Sequence, residues 1–173
     1  MGAMSPVAVI VGPPGSGKST VGPLLAERLG AAFVDADAEI EQTAGKSIPD
    51  IFAEDGEPRF RELEEQVIAE GLQRHDGVYS LGGGAVLSAA TRERLVGHRV
   101  VFLNVGMPVG VRRVGLSTAR PLLAGVNPRA TYKQLLEARL PLYREVATVQ
   151  VDTDQLTPDE VVDAVVAELK KVS

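Results

Sequence analysis

Val7-Ala8-Val9-Ile10-Val11 runs without a spacer into Gly12-Pro13-Pro14-Gly15-Ser16-Gly17-Lys18-Ser19, and no other stretch constrains the fold of this chain as tightly. A continuous apolar run rich in β-branched residues suits a strand buried on both faces of a parallel sheet. The turn after it matches the spacing G-x-x-x-x-G-K-S/T in full, with Thr20 following. Helical patterning then spans about Lys18 to Leu29, and Gly30 stands as its stop. Strand, glycine-rich turn and helix together let backbone N–H groups wrap phosphate oxygens. Glycine brings no Cβ into the way, and the helix N-terminus adds partial positive charge. Gly15, Ser16, Gly17 and Thr20 would belong to that cradle. Lys18 can reach the β- and γ-phosphates of ATP, and the Ser19 hydroxyl is placed for Mg²⁺. A turn with no ligand would need the glycines but would have no use for Lys-Ser at the helix start.

Short apolar runs alternate with amphipathic ones along the rest of the chain. Further strands are expected at Ala32–Val34, Val78–Leu81, Arg99–Val105 and Thr148–Val151, and helices at Asp37–Thr43, Pro58–Gln73 and Ser88–Val96. The last helix carries its own start signal: Thr157 at the N-cap, Pro158 at N1 and Glu160 at N3, before the stripe Val161, Val162, Val165, Val166, Leu169. This order predicts an α/β protein, a three-layer α/β/α sandwich on a five-stranded, mainly parallel sheet of the P-loop NTPase type. One domain is expected over residues 5–173, with 1–4 read as a leftover of cloning. Residues 115–128 hold the longest loop-like stretch, which predicts a mobile lid. Pro23 falls in the second turn of the first helix, where a kink or local distortion is expected.

A net charge of −5 disfavours a nucleic-acid partner, and the absence of cysteine excludes disulfides, thiolate metal sites and a cysteine nucleophile. No apolar run is long enough to span a bilayer. A cytoplasmic monomer with no membrane or nucleic-acid partner is the expectation.

The acceptor must be chosen by the remaining charges. Asp35 and Asp37 lie two apart at the end of the second strand, so both point to one face if the strand continues that far. One carboxylate could then serve the Mg²⁺ shell and the other could accept from a hydroxyl nucleophile. The alternative is that one of them caps the next helix. Gly82-Gly83-Gly84 after the third strand suggests a close backbone approach, although glycine also serves ordinary turns. Arg61, Arg113, Arg120 and Arg139 are each, by residue type, more often solvated surface groups; at a site they would grip carboxylate or phosphate. His75 and His98 read as surface residues without a role.

Taken together, these motifs resemble the shikimate kinase family from about Val7 to Leu169. The resemblance rests on the phosphate loop at 12–20, Asp35-Ala-Asp37, Ile48-Pro-Asp-Ile-Phe52, Phe60-Arg61-Glu62-Leu63-Glu64, Ser80-Leu-Gly-Gly-Gly-Ala85, Arg120-Pro-Leu-Leu123 and Arg139-Leu-Pro-Leu-Tyr143. It implies transfer of the γ-phosphoryl of ATP to the 3-hydroxyl of shikimate, on the way to chorismate. It further implies that Asp37, Arg61, Arg139 and the glycines 82–84 bind shikimate, with Gly83 central among them. Ser19 would ligate Mg²⁺ directly and Asp35 through water. Arg113 and Arg120 would lie on the nucleotide side, with Lys18, Asp37 and Arg120 acting at the reacting centre. Two departures stand out: Pro23, and Gln155-Leu156, which lacks the basic residue common near the nucleotide there. A gluconate or nucleotide kinase is the nearest rival. A GTPase-like switch finds no Asn-Lys-x-Asp stretch in its support, and a dead nucleotide-binding module would have lost Lys18, Asp37 or Arg120.

Overall fold

The computed structural model describes residues 5–114 and 128–172. Its sheet has five strands, β1 (Ala8–Val11), β2 (Phe33–Asp35), β3 (Val78–Ser80), β4 (Val100–Asn104) and β5 (Val149–Asp152), in the order β2-β3-β1-β4-β5. Every pairing is parallel. The period-2 alternation of β1 separates the two layers. Ala8 and Ile10 pack with Val101, Leu103, Val149 and Val151 against helices α1 (Lys18–Leu29) and α8 (Pro158–Lys171). Val9 and Val11 join Tyr79, Leu81, Val100 and Phe102 on the other face, under α4 (Glu57–Arg74), α5 (Ala89–Leu95) and α7 (Pro128–Val146). A smaller apolar cluster ties α2 (Ala36–Ala44) and α3 (Ile48–Asp55) to α4 through Ile40, Ile51, Phe60, Leu63 and Val67.

The strand order reverses direction at β1, which lies between β3 and β4. In such sheets the ligand crevice opens beyond the strand C-termini at that switch point. The phosphate loop leaves β1 there, Asp35 ends β2 there, and the three glycines follow β3 there.

The predicted caps form. Thr157 Oγ1 accepts from the Glu160 N–H at 3.2 Å, and Glu160 Oε1 accepts from the Thr157 N–H at 2.9 Å, a reciprocal capping box. Ser88 Oγ caps α5 through the Thr91 N–H. Gly30 closes α1 in a left-handed conformation. The helix runs unbroken through Pro23, whose missing N–H leaves the exposed Ser19 carbonyl without its helical donor. The neighbouring Gly22 is required by close approach, since a Cβ there would strike the Phe33 ring.

The structure departs from the sequence expectations at one strand end and in three helices. Strand β2 stops at Asp35 and does not continue to Asp37, so the two carboxylates do not share one strand face, and α2 begins at Ala36, one residue before its expected start. Helix α3, capped by Ser47, helix α6 (Met107–Val114) and helix α7 with Pro141 inside it were not marked by periodicity. Of the expected lid, residues 115–127, including Arg120, lie outside the described residues, and Pro128 already belongs to α7.

Candidate active site

The phosphate loop is held open from behind. Gly15 and Gly17 adopt φ of 84° and 92°, left-handed conformations that favour glycine. Gly17 caps α1 without a side chain, so the first N–H groups of the helix face the turn. Gly12 is needed for space, because a Cβ would press on the Leu103 carbonyl and on Ser16 Oγ. Lys18 Nζ donates to the Gly12 carbonyl at 2.6 Å and the Pro13 carbonyl at 3.1 Å, which folds the ammonium over the loop it would share with phosphates. Ser19 and Thr20 are exposed toward the cleft. Arg113, from α6 (Met107–Val114), donates through Nη1 to the Gly15 carbonyl at 2.9 Å and reaches Thr153 Oγ1 at 3.4 Å. It thereby ties the phosphate loop to the segment after β5.

A cleft of about 380 Å³ opens in front of this loop, and Lys18, Ser19, Asp35, Asp37, Gly82 and Arg113 all line it. Asp35 and Asp37 reach it by different means than one strand face. Asp35 is the N-cap of α2, its Oδ1 accepting from the Asp37 N–H at 3.0 Å. Asp37 follows at the second helical position. The capping alternative and the cleft role therefore coexist in Asp35, because an N-cap at a strand's C-terminus already stands at the crevice.

The three glycines organise the acceptor side. A Cβ at Gly82 would stand 2.7 Å from Asp37 Oδ1 and 3.1 Å from Glu64 Oε2. At Gly83 it would stand 3.0 Å from Pro14 Cδ and 3.5 Å from Arg139 Nη1, and at Gly84 it would enter the Arg61 guanidinium. Asp37, Arg61 and Arg139 thus converge on one turn, and Pro14 of the phosphate loop touches the same turn. Arg139 is only 6% exposed, and its Nη1 is buried with no hydrogen-bond partner among the described residues.

Arg61 is steered by two carboxylates. Its Nη1 meets Glu64 Oε1 at 2.9 Å, and its Nη2 meets Glu57 Oε2 at 3.3 Å. Its guanidinium carbon also sits 5.1 Å from the Phe60 ring centroid. Burial pushes the Glu64 carboxyl above its usual 4.5, and the Arg61 charge opposes that rise. Glu64 was not singled out from the sequence. The available signal was its place among Phe60, Leu63, Val67 and Ile68 on the buried stripe of α4, a charge interrupting an apolar face.

The sequence also concealed the roles of two tyrosines and of His75. Tyr132 donates its hydroxyl to the Pro14 carbonyl at 2.6 Å, and Tyr143 donates to the Gly83 carbonyl. His75 is not a plain surface residue. Its Nε2 lies 2.8 Å from Glu39 Oε2, whose other oxygen accepts from Tyr79 at 2.7 Å.

A family model described as shikimate kinase matches residues 14–170. A shikimate kinase of Saccharopolyspora erythraea is 64% identical over 163 residues, covering 94% of this chain and 93% of that protein. The solved shikimate kinase of Acinetobacter baumannii in complex with shikimate aligns with a TM-score of 0.93 at 37% identity, over 98% of this chain and 95% of that one. A gluconokinase from Sinorhizobium meliloti aligns with a TM-score of 0.58 at 24% identity, over 98% and 93% of the two chains. That last likeness concerns the fold alone and lends the gluconate reading no support.

Proposed function

The chain belongs to the shikimate kinase family, and on that premise we propose that it transfers the γ-phosphoryl group of ATP to the 3-hydroxyl of shikimate, giving shikimate 3-phosphate and ADP. The observation that carries this reading is the buried, unpartnered Nη1 of Arg139 beside the glycine turn. A buried donor without a partner costs free energy, and a charged one costs more. A carboxylate seated there would satisfy it, with Arg61 supplying a second guanidinium. Shikimate offers one carboxylate and several ring hydroxyls.

The residue roles follow from position. Gly82, Gly83 and Gly84 let Asp37, Arg139 and Arg61 pack directly against one turn, where a Cβ at Gly82 or Gly84 would push Asp37 or Arg61 away from the acceptor. Asp37 accepts a hydrogen bond from a ring hydroxyl and orients the nucleophilic oxygen toward the phosphate loop. Gly15 to Thr20 hold the triphosphate, and Lys18 exchanges its contacts with the Gly12 and Pro13 carbonyls for phosphate oxygens. Phosphoryl transfer needs little covalent help, so alignment and positive charge dominate the barrier. Arg120, which lies outside the described residues, would add positive charge at the transferring group.

Ser19 and Asp35 would hold Mg²⁺. No group of three or more His, Cys, Asp or Glu that could hold a metal occurs among the described residues. One hydroxyl and one carboxylate at a phosphate cradle suit Mg²⁺, which usually keeps waters and substrate phosphates as its other ligands. When bound, it neutralises charge on the β- and γ-phosphates. The protein works as a single domain over residues 5–173, as a monomer and in the cytoplasm. No helix among the described residues is long and apolar enough to cross a membrane, and the net negative charge argues against a nucleic-acid partner.

A panel of acceptors tests the reading through ADP release. Shikimate alone should support rapid release, while gluconate and nucleoside monophosphates should leave only background hydrolysis. Turnover of gluconate without turnover of shikimate overturns the assignment.

A further inference from the structure

We propose that Tyr132 and Tyr143 are positioning residues that set the spacing between the phosphate loop and the acceptor turn, by fixing the Pro14 and Gly83 carbonyls from one face of α7. The proposal rests on the reading above, in which these two segments carry the donor and the acceptor.

Positions 132, 139 and 143 are seven and eleven residues apart, close to two and three whole helical turns. At 100° per residue, they fall within about 20° of one line along the helix. That line carries a phenol on the Pro14 carbonyl, the Arg139 guanidinium beside Gly83, and a second phenol on the Gly83 carbonyl. Pro14 and Gly83 also touch each other, since a Cβ at Gly83 would stand 3.0 Å from Pro14 Cδ. The two loops therefore meet at one junction, and α7 grips both sides of it. Tyr132 is fully buried and Tyr143 is 1% exposed, so neither hydroxyl has water as a ready substitute partner. Burial pushes the Tyr143 phenol up to about 12, so it stays protonated and donates at neutral pH. Its ring is held as well, stacked 5.0 Å from Phe102 of β4.

Neither tyrosine reaches into the cleft, so their effect on the reaction passes through the two carbonyls. Losing one hydroxyl would leave a buried carbonyl unpaired and free its loop to shift. In-line transfer is sensitive to shifts of a fraction of an ångström between donor and acceptor.

The test uses the full chain with Tyr132→Phe and Tyr143→Phe. Each substitution keeps the ring and removes only the hydroxyl. Tyr132→Phe should raise the KM and Kd for ATP about three- to tenfold, with shikimate affinity measured alone within about twofold of the parent protein. Tyr143→Phe should show the mirror image, raising the KM and Kd for shikimate and sparing nucleotide affinity. Both should lower kcat by about three- to tenfold. A purely structural role would lower Tm in both variants without this split between substrates. Parent-like KM and kcat in both folded variants, or equal losses for both substrates in each, overturns the proposal. Should Tyr143→Phe fail to fold, Tyr132→Phe decides it alone. If the parent protein releases no ADP with shikimate, the function reading fails instead, and nucleotide affinity in Tyr132→Phe still decides the phosphate-loop half of this inference.

Discussion

At the scale of single residues, the site depends on charged groups held where water is scarce. Lys18 sits over the phosphate loop while Arg61 and Arg139 meet at the glycine turn after β3, which separates their effects. Lys18→Ala should lower kcat on the order of a hundredfold to a thousandfold, because a charge aimed at the transferring group is lost. Shikimate affinity measured by calorimetry without nucleotide should stay near that of the parent protein, and a large loss there would mean the two subsites are not separate. Glu64 gives a prediction with a defined sign. Burial raises its carboxyl above 4.5, so the folded state binds that proton more readily than the unfolded chain does. Stability from this group is therefore fullest at low pH and falls as pH rises through the window above 4.5. Glu64→Gln removes the titration, so urea midpoints of the variant should gain on those of the parent between about pH 4 and about pH 7. A difference that stays constant across that range would count against the buried carboxyl as the source.

At the scale of elements, local signals were strongest where the backbone needs a particular residue. The capping box of α8 was readable because Thr157 and Glu160 satisfy backbone N–H groups within four residues of each other. Thr157→Ala should cost about 1 kcal/mol, a Tm loss of about 2–4 °C in a chain of this size, with kcat unchanged because α8 packs behind the sheet on α1. An altered kcat at equal Tm would contradict that isolation. Helix α7 was not readable. Pro141 interrupts its pattern, and its buried face carries Tyr132, Arg139 and Tyr143. The two phenols on that face take their partners from the phosphate loop and the glycine turn, so nothing within the segment announces them. The end of strand β2 was left open by the sequence for a related reason. An Asp can end a strand and cap the following helix at once, and alternation alone does not distinguish that from a longer strand.

At the scale of the whole molecule, the three segments that carry the site are brought together by the parallel sheet. Saturating ligands should stabilise the folded state by mass action. Shikimate at about a hundred times its Kd should contribute about 2.7 kcal/mol, a rise in Tm of roughly 5–10 °C, and gluconate at the same concentration should give none. A rise with gluconate that matches shikimate would remove the acceptor assignment. The sequence by itself determined the phosphate loop, the α/β class and the order of most elements, because these rest on backbone conformation and apolar periodicity inside short windows. It also named Asp37, Arg61, Arg139 and the three glycines as candidates. Only the tertiary structure decided that these residues meet at one turn, that Glu64 lies buried beside Arg61, and that one helix face grips both loops. Burial and the pairing of distant polar groups depend on which surfaces the sheet brings into contact, and that is a property of the folded chain rather than of any one segment.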